Sequence, residues 1–409
     1  VTSSRLDLDF VRAQFPAFAE PTLQGQAFFE NAGGSYVCKQ VIGRLEEYYR
    51  RLKVQPYYHY PASREAGDWM DASHARIAEY LNVTPDEVHF GPSTSQNTYV
   101  LAMALRKLLQ PGDEFIVTNQ DHEANTGMFR RLRKHDLVMR EWRVNRDTGL
   151  LALEDLDPLL SPRTRLVAIA HASNIVGHIN PVAAITAKAR AAGALTIVDG
   201  VALAPHGFPD VEALGADIYL LSLYKTYGPH QGAMVIRNRV FFSLGNEGHY
   251  FNAPAMRKRM VPAGPDHAQV AAARGVAEYF DAIDAKHGGG DPAGRPQRVR
   301  ELMRSAEIPL AARVLDFLKS RRDVRVIGPT DATIRAPTIS FVPLKAKPGE
   351  VHIALGKRGI MSGVGHFYSV RTLEGMGLDA NRGVVRLSFV HYTSDDEITR
   401  LIEALNAVL

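Results

Sequence analysis

The sequence predicts an α/β protein: a three-layer large domain with a mostly parallel sheet, plus a smaller α+β domain. Short apolar runs alternate with helical patterns from about residue 87 to 236, as in a parallel sheet covered by helices. Beyond Gly288-Gly289-Gly290-Asp291-Pro292, strands and helices continue without a long parallel run. The large domain is placed at 20–287, and the small domain at 1–19 together with 288–409. At 409 residues the chain is long enough for one large or two ordinary domains.

The elements follow from apolar spacing. Residues 6–15 carry an amphipathic helical pattern that Pro16 stops. Residues 27–29 read as a short strand, followed by the small, flexible loop Glu30-Asn31-Ala32-Gly33-Gly34-Ser35. Helices are expected at 41–53 and 68–81. Between them lies the aromatic loop Pro56–Pro61, which either walls a pocket or packs on the surface. A strand at 87–90 runs into Gly91-Pro92-Ser93-Thr94-Ser95, ahead of a helix at 98–109. A hydroxyl-rich turn opening a helix is either an anion site or an ordinary cap. Strands are expected next at 114–117, 138–143, 166–171, 195–198, 218–221 and 233–236, with helices at 127–134, 153–160 and 181–192. A long helix at 266–287 precedes the triple glycine. After it come helices at 296–321, 349–358 and 394–409, and strands at 324–327, 338–342, 359–362 and 384–389.

Two strand ends carry chemistry. The run 195–198 ends on Asp199, and the run 218–221 ends in Ser222, Leu223, Tyr224 and Lys225. Ligand-binding groups on such sheets sit where strands end. One acid and one lysine there suit pyridoxal phosphate. Its aldehyde forms a Schiff base with a lysine amine, and a carboxylate keeps its ring nitrogen protonated. The plainer alternative is an acid capping a turn and a lysine on a solvated loop.

Composition narrows the classes. Apolar content is 45% and charged content 22%, both ordinary for globular chains. The net charge of +4 is spread out, and the basic clusters at 130–134 and 257–259 are short, so no nucleic-acid partner is expected. A single cysteine, Cys38, excludes an internal disulfide framework and a multi-cysteine metal site; no metal is expected. The opening VTSSRLDLDF lacks a signal peptide's basic and apolar regions, and no apolar run reaches membrane-spanning length. A cytoplasmic protein without membrane partners is the expectation. No G-x-G-x-x-G opens a helix after the first strand, which argues against a nicotinamide-binding fold.

Seven segments, in order, resemble one family: FFENAGGSY, FGPSTSQNT, QDHEANTGMF, HASNIVGHINPV, TIVDGVALAPHGFPDV, SLYKTYGPHQG and GVVRLSFVHYTSDDEI. The chain resembles the class V aminotransferase and cysteine desulfurase group of fold-type I pyridoxal-phosphate enzymes, from about Phe28 to Leu409. The resemblance implies that Lys225 carries the cofactor, Asp199 pairs with its ring nitrogen and His122 stacks on the ring. It implies phosphate contacts from Ser93, Thr94 and Ser222, and a place for Asn174 near the cofactor's phenolic oxygen or the substrate. Arg386 would hold the substrate carboxylate with its bidentate fork. Asn31 and Tyr368 are further candidates at the substrate, with His366, Arg371 and His391 beside them by position.

Departures from the pattern matter. Tyr368 stands where the desulfurases' reactive cysteine lies, on the loop Gly365–Ser369. Tyr224 precedes the lysine where desulfurases often have His; this resembles kynureninase-like members, and its hydroxyl is a phosphate candidate. Ala202 replaces the usual Gln three residues after the aspartate. Ala263-Gly264-Pro265-Asp266 resembles the stretch a second subunit sends to the phosphate, but without the family's Thr; a homodimer is expected nonetheless. The expected function is pyridoxal-phosphate chemistry on an amino acid: a lyase by β-elimination or C–S cleavage rather than a persulfide-forming desulfurase. Alternatives are a class V aminotransferase and a non-catalytic cofactor binder.

Overall fold

A computed structural model describes residues 5–409; the first four residues of the opening read above for a signal peptide lie outside the described residues. Its centre is a seven-stranded sheet. In spatial order the strands are Val88–Gly91, Gly232–Ile236, Ile218–Ser222, Leu195–Asp199, Thr164–Ala170, Glu114–Thr118 and Val138–Trp142. All pair in parallel except Gly232–Ile236, which runs antiparallel to both neighbours. The central strands are buried along their length apart from Leu195 at the start of one, as their continuous apolar runs require. Parallel strands align their ends, so Asp199 and Ser222 finish on one edge of the sheet.

A second, antiparallel sheet has the order Gly363–Gly365, Val384–Ser388, Thr338–Pro343, Val324–Val326. The helices Arg295–Ser320 and Pro348–Gly356 contact it, and Asp395–Val408 packs on those two helices in the same core, matching the expected α+β character. Among the described residues no helix is long and apolar enough to cross a membrane.

The N-terminal segment touches both parts of the expected division. Leu6, Val11 and Phe15 bury into the large core with Tyr227, Tyr279 and Tyr392. The strand Ala27–Phe28 instead pairs in parallel with Ile360–Met361, and Phe29 joins the core under the four-stranded sheet. Residues 6–15 bury in the large core while Arg12 pairs with Glu397 and donates to Tyr392 O, and residues 27–29 join the core of the smaller sheet.

Several helices begin earlier than apolar spacing suggested. The helix expected at 68–81 spans Pro61–Leu81, with Pro at its first turn, where no amide donor is needed. The helix expected at 98–109 is Thr94–Arg106, and that expected at 127–134 is Glu123–Arg131. Their first turns are polar, so periodicity missed them. The expected helix 266–287 is two, His267–Ala272 and Arg274–Lys286. Just past the break, a Cβ at Gly275 would press on Val41 N, so glycine lets the helix Lys39–Arg51 pack there. The short helix Val370–Gly375 and the strand Gly363–Gly365 carried too little pattern to be foreseen.

Candidate active site

A cavity of about 490 Å³ opens where the seven-stranded sheet's edge faces the C-terminal segment. Its floor comes from the two strand ends singled out above. Asp199 ends its strand buried, and one Oδ accepts from Val201 N at 2.9 Å. Burial raises its pKa, opposed by that N–H and by the nearby Lys225 cation. Lys225 sits in the single turn Leu223–Lys225 that follows the strand Ile218–Ser222. Its ammonium is pushed down to about 8, by burial first and by the Arg386 charge second; Asp199 and Glu30 act in the opposite direction. No hydrogen bond to Lys225 enters among those causes.

The phosphate candidates cluster at one helix start. Ser93 caps Thr94–Arg106, its Oγ accepting from Gln96 N at 3.2 Å. The Thr94 hydroxyl donates to Leu221 O at 2.9 Å, so that side chain is committed to the backbone. A Cβ at Gly232 would collide with Thr94 N, so glycine in the adjoining strand seats this helix end against the sheet. Ser222 Oγ is buried and unpartnered among the described residues. The Tyr224 ring stacks on His230, with centroids 4.8 Å apart.

His122 caps Glu123–Arg131, its Nδ1 accepting from Ala124 N at 3.0 Å. Burial, then the Lys225 and Arg386 charges, push its imidazolium down to about 3, so the ring is neutral. Tyr368 leans on it, with centroids 5.3 Å apart, and is itself 68% exposed. The Tyr368 carbonyl accepts from Glu123 N at 2.8 Å, which ties the C-terminal loop to the helix start. Phe367 and Tyr368 both hold positive φ, 48° and 59°, a conformation unfavourable to bulky side chains.

The remaining candidates are less free than expected. Asn174 lines the cavity, but its Nδ2 donates to Phe367 O at 3.0 Å and its Oδ1 accepts from Ser369 Oγ at 2.7 Å. Asn31 lines it too, yet its Nδ2 donates to Ser388 O at 3.2 Å and its Oδ1 accepts from Tyr392. Arg386 does not line it: its Nη2 pairs with Glu30 Oε1 at 2.6 Å, and Phe367 covers its guanidinium at 3.6 Å. Of the residues placed beside the substrate by position, Arg371 pairs with Glu123. His391 is buried and bonded to Tyr279 and Tyr227, away from the cavity lining. Cys38 is fully buried near Gly275, its thiol pushed up to about 12 by burial.

Three residues had been given no role. Glu30 closes onto Arg386 and Phe367 covers it; neither contact has a sequence signal. Asp121, directly before His122, did have one, since it follows the end of a strand just as Asp199 ends one. It is buried, accepts from Thr118 and from Asn125 Nδ2 at 2.7 Å, and is pushed up to about 7 by burial, with Asp199 adding to the rise.

These residues fit pyridoxal phosphate. An unpartnered buried hydroxyl and a helix start suit a phosphate. A buried acid with one N–H bond suits a pyridinium, and a lysine with depressed pKa suits an aldehyde.

Comparison with known proteins agrees with the fold and the cofactor. The aminotransferase class-V family profile matches residues 27–282 and 299–401. An aminotransferase-like protein, FGM3, of Gibberella zeae is 33% identical over the full length of both chains. The cysteine desulfurase-like protein ustD of Aspergillus flavus is 28% identical, covering 99% of this chain and 91% of its own. A cysteine desulfurase structure from Thermococcus onnurineus superposes with a TM-score of 0.85 at 24% identity, over 100% of this chain and 99% of the other. The chain belongs to the aminotransferase class-V family, whose members depend on pyridoxal phosphate.

Proposed function

We propose that this is a pyridoxal-phosphate enzyme acting on an amino acid, and that it is a lyase, by β-elimination or C–S cleavage, rather than a persulfide-forming desulfurase. The observation that carries this reading is the thiol. Tyr368 stands in the cavity wall on the loop where a reactive cysteine would be expected. The sequence's single cysteine, Cys38, is buried elsewhere with its thiol held protonated.

When bound, the cofactor supplies an electron sink for a bond broken at the substrate's Cα. In this reading Lys225 anchors it and then moves the Cα proton, a task suited to an amine with a pKa near 8. Asp199 accepts the ring N–H; a cation there offsets the cost of its burial. Ser222 Oγ and the backbone N–H groups at Ser93 and Thr94 hold the phosphate. The neutral His122 ring forms a wall over the cofactor, and Tyr224 closes the side near the phosphate. Ala202 leaves the phenolic oxygen without a Gln donor, and Asn174 is held back by Phe367 and Ser369. Asn31 and Tyr368 border the substrate. The reading includes a homodimer in a reducing compartment such as the cytoplasm.

An aminotransferase is the second reading, supported by the name of the 33%-identical relative. Product analysis on the cofactor-loaded protein separates the two across a panel of amino acids. Ammonia or sulfide released with a keto acid, and no acceptor added, is the expected result. A strict requirement for pyruvate or 2-oxoglutarate would overturn the lyase in favour of the aminotransferase. Cofactor bound at Lys225 without turnover of any amino acid would leave a binder.

A further inference from the structure

The anchor expected for the substrate's carboxylate is already taken by a carboxylate of the chain. Arg386 Nη2 donates to Glu30 Oε1 at 2.6 Å, across 356 residues of sequence. The residues around the pair fit it closely. Gly363 faces Arg386 across the antiparallel ladder, and a Cβ there would collide with Glu30 Oε2. The bridge between Glu30 and Ser388 sets Glu30 two residues along the same strand.

The pair is nevertheless incomplete. Among the described residues, Arg386 Nε and Glu30 Oε2 are both buried without a partner. A carboxylate meeting a guanidinium edge-on normally satisfies two N–H groups at once. Here it satisfies one, and each orphaned polar atom carries a desolvation cost. The partners also differ in freedom. The Arg386 side chain is 3% exposed and lies under Phe367; that of Glu30 is 25% exposed. Glu30 has a route to water and Arg386 has none.

We propose that Glu30 is a specificity-determining residue: an internal carboxylate that occupies the Arg386 fork in the free enzyme and gives it up to the carboxylate of the substrate. The exchange satisfies both orphans, because the ligand spans Nε and Nη2 while Glu30 Oε2 gains water. An amine without a carboxylate has nothing to offer Arg386 and leaves Glu30 in place. The inference rests on the proposed amino-acid reading, and its test does not need the cofactor.

The probe is propionate, titrated by calorimetry into cofactor-free protein. Glu30→Gln, which keeps the shape and removes the competing charge, is expected to tighten propionate about tenfold, the scale of one charge-assisted hydrogen bond. The double variant Glu30→Gln with Arg386→Met is expected to lose that gain. Equal or weaker propionate binding in Glu30→Gln overturns the proposal. So does a gain that survives in the double variant, since the anion would then bind elsewhere. If Glu30→Gln does not fold, Glu30→Asp carries the same test, because the shorter chain withdraws the carboxylate from Nη2. In parallel, the cofactor-loaded Glu30→Gln protein is titrated with L-alanine and ethylamine, following the cofactor's absorbance. Affinity is expected to rise for L-alanine alone; an equal rise for both overturns the proposal. Failure of the wild-type protein to bind cofactor would sink the enzymatic reading, while the propionate result would still stand for Glu30.

Discussion

The two sides of the cavity use buried polar groups in opposite ways. Along the edge of the seven-stranded sheet, the Asp199 side chain accepts a single backbone N–H and the Ser222 hydroxyl makes no hydrogen bond among the described residues. Lys225 is perturbed only by burial and by charges at a distance. On the C-terminal side, Asn174, Asn31 and Ser369 spend their side chains on Phe367, Ser388, Tyr392 and one another. The first side leaves these groups open and bears the cost of burying them. The second holds together segments far apart in sequence. Arg386 falls between the two, paired through Nη1 and Nη2 but with its Nε unmet among the described residues. Buried polar groups are normally bonded, so an unbonded one in the cavity wall, such as Ser222 Oγ, is a candidate contact for a ligand.

The largest expected effects test the unspent side. Lys225→Ala should lower turnover on the order of a thousandfold or more, because anchor and proton carrier go together. Borohydride reduction of cofactor-loaded protein should label the peptide containing residue 225, and the variant should show no label. Asp199→Asn should cost about a hundredfold in turnover, the scale of one lost electrostatic contact in a buried site. The melting temperature of the cofactor-free protein should hold or rise, because a buried acid with a raised pKa has been removed. A marked loss of stability in the cofactor-free form of either variant would mean that this side, too, is structural.

A smaller effect is a shift along the pH axis. Burial disfavours the Lys225 cation, so its amine becomes neutral, and nucleophilic, from a pH near 8 rather than 10.5. The rate of cofactor capture by apoprotein should therefore rise with pH through a midpoint of about 8. A midpoint near the ordinary lysine value would show that the cation is well solvated, and would weaken the contrast between the two sides.

The same contrast explains what the sequence could reveal. Asp199, Ser222 and Lys225 were legible because each sits at or just past the end of a short apolar run, and parallel strands bring such ends to one edge. Position along the chain determined position in space. His122 and Ser93 were legible for a related reason, as polar residues opening helices. Asn174 and Asn31 line the cavity and Arg386 does not, and the partners of all three were not foreseeable. Glu30 and Arg386 are brought together by a bridge from residue 30 to residue 388, and neither segment advertises the other. The positive φ at Phe367 and Tyr368, which turns that loop over Arg386, has no marker in two aromatic residues. How the N-terminal segment divides has no sequence signal, because residues 6–15 and 27–29 bury similar apolar faces, and only tertiary contact decides which core receives them.

The smallest effect discriminates best, because one substitution made twice should give two signs. Ser369 is buried, and its Oγ donates to Asn174 Oδ1 at 2.7 Å. Ser369→Ala leaves that acceptor unmet and should cost about 1 kcal/mol of stability, read as a lower denaturation midpoint. Ser222 is equally buried, and its hydroxyl has no partner among the described residues. Ser222→Ala removes an unmet polar atom and should leave the cofactor-free protein as stable as before, or slightly more so. Cofactor affinity reverses the order. Ser222→Ala loses a donor to the phosphate and should weaken pyridoxal phosphate about tenfold, while Ser369→Ala should change it little. Parallel losses of stability at both serines would show that Ser222 has a structural partner, and its assignment to the phosphate would fall with that result.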